Sequence, residues 1–158
     1  MRIPIFARRR LVAFAERTMR RSPDFVVGGS DPYLKRWWVI PRNKWFNVYV
    51  HRFLRSDDDR ALHDHMYVNA SLVLDGGVGY DEHFLDGSIS FRPLGTVVFR
   101  RPTTAHRIAL IDEEPVTTLF VTGPRVREWG FHCPQGWRYW TEFVGKSPGG
   151  NVVGRGCD

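Results

Sequence analysis

Cysteine is scarce in this sequence, because Cys133 and Cys157 are the only two among 158 residues. Two cysteines are too few for the disulfide framework of a small secreted domain, and Cys157 lies one residue from the C-terminus, where chains usually fray. The cysteine content therefore gives no sign of secretion, and we expect a cytoplasmic protein.

Long apolar runs are also missing. No segment approaches the roughly 18 consecutive apolar residues of a membrane span, and no apolar stretch of signal-peptide length follows the N-terminal charges. Hydrophobic residues nevertheless make up 42% of the sequence and aromatic residues 14%. This composition is sufficient for a core, and the length predicts one folded domain.

Acidic residues are nearly absent from the first 21 positions, which contain seven arginines and only Glu16. Their balance of +6 equals the formal charge of the whole protein, because the other positions contain 16 basic and 16 acidic side chains. The body of the protein is therefore neutral, and its charge does not indicate a nucleic-acid partner.

The first 21 residues are typical of a basic amphipathic helix, with Leu11, Phe14 and Met19 close to a helical repeat. Three functional interpretations are open: weak contact with nucleic acid, contact with an anionic membrane surface, and a cleaved arginine-rich transit peptide. The structural alternative is a surface helix packed on the domain. We place this helix and a linker at 1–30, the folded domain at 31–145 and a flexible tail at 146–158.

After the linker, short β-branched and aromatic segments alternate with turn residues. Turns such as Asp75-Gly76-Gly77 separate consecutive segments and are typical of antiparallel hairpins. About eight such segments predict an all-β sandwich or barrel. A dense aromatic cluster between Trp129 and Phe143 indicates either a seal at one end of that fold or the interface of a homodimer.

Two histidines lie one residue apart in the segment 63–74, which we predict to be a single strand. Because residues i and i+2 of a strand share a face, His63, His65, Tyr67 and Asn69 would all project the same way. The two imidazoles would then reach one ion, and neutral imidazole suits iron, zinc, copper or nickel. The alternative is a pair of polar histidines that bind no metal.

The run His63-x-His65-x-x-x-Asn69, followed after six residues by Gly76, resembles the first motif of the cupin superfamily. The segment from Gly95 to His106 keeps the glycine-to-histidine separation of the second cupin motif. The resemblance covers roughly residues 31–123 and implies a double-stranded β-helix, or jelly-roll barrel. It also implies that His63, His65 and His106 are metal ligands.

Asn69 stands where cupins usually have a glutamate ligand, so the implied ligand set is three histidines, similar to that of the cysteine dioxygenase branch. Three neutral ligands leave the charge of a divalent ion uncompensated and favour an anionic ligand such as a thiolate or carboxylate. We expect a mononuclear non-haem Fe(II) dioxygenase acting on a small, anionic substrate, with Zn, Ni or Mn as alternative metals. A cupin isomerase or epimerase and a non-catalytic binding module remain alternatives, because fold does not decide chemistry.

Five further residues are predicted to line the site. Arg52 and Arg100 are candidate cations for an anionic substrate, or else solvated surface arginines, and Asn69 would hydrogen-bond a bound ligand. Hairpin parity in cupin-like chains sends Tyr80 and Glu82 inward as candidate catalytic residues. Glu82 would act as a general base or as the partner of a histidine ligand, or would instead pair with an arginine at the rim.

Overall fold

A computed structural model of the chain describes residues 1–28, 31–57, 61–144 and 154–158. The elements in chain order are α1 (Ile5–Met19), β1 (Phe25–Val27), β2 (Leu34–Trp38), β3 (Asn47–Phe53), β4 (Leu62–His63), β5 (Asn69–Asp75), β6 (Gly79–Phe84), β7 (Ile89–Pro93), β8 (Val97–Arg100), β9 (His106–Leu110), a 3-10 turn (Ile111–Glu113), β10 (Val116–Thr122), β11 (Gly130–Cys133), β12 (Gly136–Tyr139) and α2 (Trp140–Val144).

The strands form two antiparallel sheets. The first sheet has the order β1-β2-β3-β10-β5-β8, and the second has the order β12-β11-β4-β9-β6-β7. Consecutive strands such as β5 and β6 belong to different sheets, so the chain repeatedly crosses between the two layers. The all-β jelly roll implied by the sequence is therefore confirmed.

The space between the sheets has an apolar region and a polar region. The apolar core takes side chains from both sheets, namely Leu34, Phe53, Val73, Tyr80, Ile108, Leu110 and Val116. Further along the same inner faces the buried side chains are polar or charged, among them His51, Asn69, Glu82, Arg100 and His106. Because buried polar groups need partners, this second region is the place to look for a functional site.

Gly76, the glycine of the first motif, occupies the turn between β5 and β6. Its φ angle is +97°, a conformation that L side chains rarely adopt, and an added Cβ would lie 1.9 Å from the carbonyl oxygen of Pro115. Only glycine fits such a close approach of two backbones. The motif glycine therefore makes the turn that carries the chain from β5 in the first sheet to β6 in the second. Because these two strands do not pair, this turn is a crossing between sheets and not the antiparallel hairpin predicted there.

The prediction of one strand over 63–74 is wrong. The strand β4 ends at His63, residues 64–68 are not in a strand, and β5 begins at Asn69 in the other sheet. The chain crosses between sheets here, and the carbonyl groups of Met66 and Val68 accept hydrogen bonds from Val126 and Gly123 rather than from a sheet neighbour. The alternation of side chains between two faces does not reveal such a crossing, because the residues before it and the residues after it both keep that alternation.

The N-terminal helix α1 packs against the outer face of the first sheet, as the structural alternative proposed. Ala15 is 1% exposed and lies in a cluster with Trp37, Val50 and Leu74, while Arg9 and Arg10 are exposed. Among the described residues, no helix is long and apolar enough to cross a membrane. Binding of lipid or nucleic acid by the arginines stays a prediction.

The structure adds two features at the ends of the predicted domain. The strand β1, which pairs with β2, lies inside the segment predicted to be a linker. Cys133 and Cys157 form a disulfide bond with a Cα–Cα distance of 5.4 Å. Cys157 is therefore tied to β11, while positions 145–153 of the predicted tail lie outside the described residues.

Candidate metal centre

Three histidines meet in the polar region. His63 ends β4 and is the direct antiparallel partner of His106 at the start of β9, while His65 follows in the crossing segment. One ring nitrogen from each histidine lies within 4.8 Å of the other two. The structure thus brings together the three residues implied by the two motifs, although His65 reaches the cluster from a bend instead of a strand.

The geometry of the ring nitrogens fits a bound transition metal. His65 Nε2 lies 2.9 Å from His106 Nε2, close to the separation of about 3 Å expected for two nitrogens each about 2.1 Å from one ion and at a right angle to each other, as in octahedral coordination. Burial lowers the pKa of all three imidazoles, and that of His106 falls to about 3. They therefore remain neutral at physiological pH, the form that binds metal.

Glu82 lies behind His106, on the side away from the other histidines. Its Oε1 is 2.8 Å from His106 Nδ1, and the carboxylate is fully buried. Burial raises the pKa of Glu82, but the contacts with His106 and Arg100 outweigh it and hold the pKa well below its ordinary value. An ionised carboxylate behind a histidine orients the ring and leaves the opposite nitrogen, Nε2, for a metal.

Arg100 fixes Glu82 in place. Its Nε donates to Glu82 Oε1 at 2.5 Å, and its remaining N–H groups reach Ser71 Oγ at 2.9 Å, Tyr80 Oη at 3.2 Å and Asn69 Oδ1 at 3.5 Å. Arg92 Nε donates to the other oxygen, Glu82 Oε2, at 2.7 Å. The structure therefore places Asn69, Tyr80, Glu82 and Arg100 in one buried network beside the histidines.

Asp57, which the sequence did not single out, lies near His63. Asp57 Oδ2 lies 4.0 Å from His63 Nδ1 and accepts the backbone N–H of Ile108 at 3.0 Å. Burial raises the pKa of Asp57, against the opposing effect of His63. Each of His63 and His106 thus has a carboxylate near its Nδ1.

Asp64, the residue between the two motif histidines, points away from the cluster and joins it to the β11–β12 hairpin. Its carboxylate is 1% exposed and accepts the backbone N–H of Gly130 at 2.9 Å and the Nε1–H of Trp137 at 3.0 Å. Arg127 Nη1 pairs with it at 2.7 Å, and His132 Nε2 lies 3.3 Å away. These contacts hold the segment that carries His63 and His65.

Arg52 does not reach the cluster. Its neighbour His51 faces the interior, so Arg52 lies on the outer face of β3, where its Nη1 donates to Thr117 Oγ1 at 2.8 Å. The inward arginine on that side is Arg36 of β2, which the sequence analysis passed over. The sequence alone does not show which residues of β2 and β3 face the interior, because this depends on how the two strands pair.

No model of a known protein family matches the sequence, and no curated protein does. Solved structures do match. A candidate mannose-6-phosphate isomerase from Ralstonia eutropha shares 18% identity over 64% of this chain and 92% of its own, with a TM-score of 0.51. A Klebsiella pneumoniae protein with a double-stranded β-helix domain shares 17% identity over 67% and 90% of the two chains, with a TM-score of 0.50.

A crystal structure of DMSP lyases matches at 15% identity and a TM-score of 0.47, over 57% of this chain and 47% of that one. The chain therefore spans about half the length of that protein. Identities this low are evidence for a shared fold but are not evidence for a shared activity. The fold is a double-stranded β-helix, as the two motifs implied, and it carries a three-histidine cluster.

Proposed function

From a double-stranded β-helix with three converging, neutral histidines, we propose that the protein is a mononuclear non-haem Fe(II) oxygenase for a small anionic molecule. The observation that carries the proposal is the convergence of His63, His65 and His106, with no carboxylate ligand among the described residues. Asn69 replaces the usual glutamate, and its Oδ1 is turned towards Arg100. Iron bound by three neutral ligands keeps its full charge and has open positions for an anion and for dioxygen, whose redox chemistry it would supply.

The residues of the chain orient the ligands. Glu82 lies 2.8 Å from His106 Nδ1 and would leave Nε2 of that ring to the ion, whereas Asp57 lies 4.0 Å from His63 Nδ1, beyond hydrogen-bond distance. Arg100 and Tyr80 act as positioning residues. Arg100 donates to Glu82 and to Tyr80, so that Tyr80 helps to hold Arg100 and Arg100 holds Glu82. Arg100 is therefore assigned to positioning and not to substrate binding, because its Nε, Nη1 and Nη2 already donate to side chains of the protein.

Two of the six buried polar atoms without a hydrogen-bond partner among the described residues lie side by side on the inner face of the first sheet. Asn69 Nδ2 and Thr122 Oγ1 belong to cross-strand neighbours on β5 and β10, and neither has a hydrogen-bond partner among the described residues. A buried donor without a partner is destabilising by about 1–3 kcal/mol. In our proposal both donate to a substrate oxygen beside the ion, which gives Asn69 the substrate-binding role predicted for it.

Spectroscopy of the iron-loaded protein tests the oxygenase proposal. We expect that nitric oxide binds to the anaerobic Fe(II) protein and gives a half-integer-spin electron paramagnetic resonance signal, and that small thiols or carboxylates shift this signal by binding to the same ion. A protein that holds iron but responds to neither nitric oxide nor any anion would contradict the proposal. It would favour a non-catalytic binding module, because such a module needs no open coordination position.

A further inference from the structure

Arg36 is a half-buried arginine on the inner face of β2 with a fixed orientation. Its Nε donates to Nε2 of His51, its cross-strand partner on β3, at 2.8 Å. The guanidinium carbon lies 5.1 Å from the ring centroid of Tyr49 and 6.0 Å from that of Phe25. One hydrogen bond and two ring contacts therefore set the plane of the guanidinium and leave the edge with Nη1 and Nη2 for another partner.

The described part of the chain offers Arg36 no counter-ion. Among residues 1–28, 31–57, 61–144 and 154–158, the inward arginines Arg92 and Arg100 both pair with Glu82, and Arg127 pairs with Asp64, but no carboxylate pairs with Arg36. A partly buried charge without a partner is unfavourable. An anion from outside the chain would give Arg36 the negatively charged partner that the other three arginines have within the protein.

A row of aromatic rings connects Arg36 with the candidate metal centre. The rings of His51 and Phe120 are stacked at 4.8 Å between centroids, and Phe120 lies 6.2 Å from the ring of His65 and 6.3 Å from that of Tyr67. The wall between the cation and the ion is therefore aromatic.

We propose that Arg36 binds the carboxylate of a small organic acid whose far end faces the ion held by the three histidines. A guanidinium edge matches a carboxylate with two parallel N–H···O bonds. The inference rests on the proposed function, because the metal centre defines the reacting end of the ligand. It names the substrate class and the recognition residue that the proposed function leaves open.

Calorimetric titration of the purified protein with benzoate and with benzamide tests this inference, with the metal content measured on each sample. Benzamide has the shape of benzoate without its charge, so we expect it to bind at least about 10-fold more weakly. Arg36→Gln should weaken benzoate binding by roughly 10- to 100-fold, and Arg36→Lys, which keeps the charge but not the planar edge, by less. Arg52→Gln on the outer face of the next strand is the matched control and should leave the affinity unchanged.

Equal affinity for the two probes, no benzoate binding by the wild-type protein, or equal losses in Arg36→Gln and Arg52→Gln would each overturn the inference. Circular dichroism of Arg36→Gln separates loss of recognition from loss of fold, and the recovery in Arg36→Lys provides a second readout. Metal analysis separates this inference from the proposed function. A protein without metal contradicts the metal centre, whereas a metal-loaded protein with Arg36-independent benzoate binding contradicts only the assignment made here.

Discussion

Glu82 and His106 form the contact that connects the buried charge network with the candidate ligands, with Glu82 Oε1 2.8 Å from His106 Nδ1. The same carboxylate oxygen accepts from Arg100 Nε at 2.5 Å. One side chain thus neutralises a buried arginine and orients a histidine. The stability of the barrel and the affinity for metal should therefore depend together on this residue.

Glu82→Gln keeps the shape of the side chain but leaves Arg100 without a counter-ion. We expect the free energy of unfolding to fall by about 3–5 kcal/mol, because one member of a buried ion pair is removed. Metal affinity should fall by roughly 10- to 100-fold, because His106 loses its orienting carboxylate. Urea unfolding and competition with a chelator measure the two effects.

Asp81→Asn is the matched control for Glu82→Gln, because Asp81 is the neighbouring carboxylate on β6 and is only partly buried. It should change neither quantity by more than about 0.5 kcal/mol. If Glu82→Gln behaves like this control, the network does not support the histidines.

His51 predicts a pH dependence of stability that is separate from metal binding. Burial and then the charge of Arg36 hold the pKa of His51 well below its usual value, so the folded protein keeps it neutral while the unfolded chain protonates it below about pH 6.5. The unfolded state then binds more protons, and the free energy of unfolding decreases as the pH falls from about 6.5 towards the folded pKa.

Comparison of His51→Gln with the wild-type protein by urea unfolding between about pH 7 and 5 isolates this effect. The wild-type slope should be steeper by up to about 1.4 kcal/mol per pH unit, because the other buried histidines are common to both proteins and cancel. Identical slopes would show that His51 is protonated in the folded state.

The Cys133–Cys157 disulfide closes a separation of 24 residues. In the chain-entropy model a loop of this size stabilises the folded state by about 3 kcal/mol. Reduction with a phosphine, or the Cys133→Ser/Cys157→Ser double variant, should lower the melting temperature by several degrees. An unchanged melting temperature under reducing conditions, with both thiols shown to be free, would mean that the bond adds nothing to stability.

Deletion of residues 1–21 should destabilise the protein, because α1 covers Trp37, Val50 and Leu74 on the outer face of the first sheet. Exposure of on the order of a few hundred Å² of apolar surface at roughly 25 cal/mol per Å² amounts to several kcal/mol. We expect a lower melting temperature or aggregation. A soluble truncated protein with the melting temperature of the full chain would contradict this expectation.

Replacing Arg9, Arg10 and Arg17 by glutamine tests the charge of α1 without removing its packing, because all three are exposed. If the helix binds nucleic acid or anionic lipid, the triple variant should keep its stability and lose that affinity. The affinity of the wild-type protein should also fall steeply between about 50 and 200 mM salt.

Local sequence encodes the parts of the centre that the motifs describe. The motifs give His63, His65, Gly76 and His106 by their spacing along the chain, and the positive φ of Gly76 and the strand that starts at His106 are local properties. Their arrangement was therefore predictable from the resemblance.

The supporting residues depend on long-range pairing and were not predictable in the same way. Arg36 is opposite His51 only because β2 and β3 pair in one register, and Asp64 points away from its neighbours only because the chain crosses between sheets there. A shift of one residue in either register would turn these side chains to the other face. The sequence therefore predicts Arg52 as the inward arginine, although the register places Arg36 there.

The disulfide is different, because the sequence contains only two cysteines and their pairing could have been predicted.

Metal analysis of protein purified without oxygen tests the central claim most directly. We predict about one equivalent of a divalent transition metal, principally iron, in the wild-type protein and in the control variant His83→Ala, whose histidine lies on β6 away from the cluster. The His63→Ala/His65→Ala double variant should hold almost none, because one proposed ligand remains. A wild-type protein without metal, or a double variant that retains a full equivalent, would contradict the account.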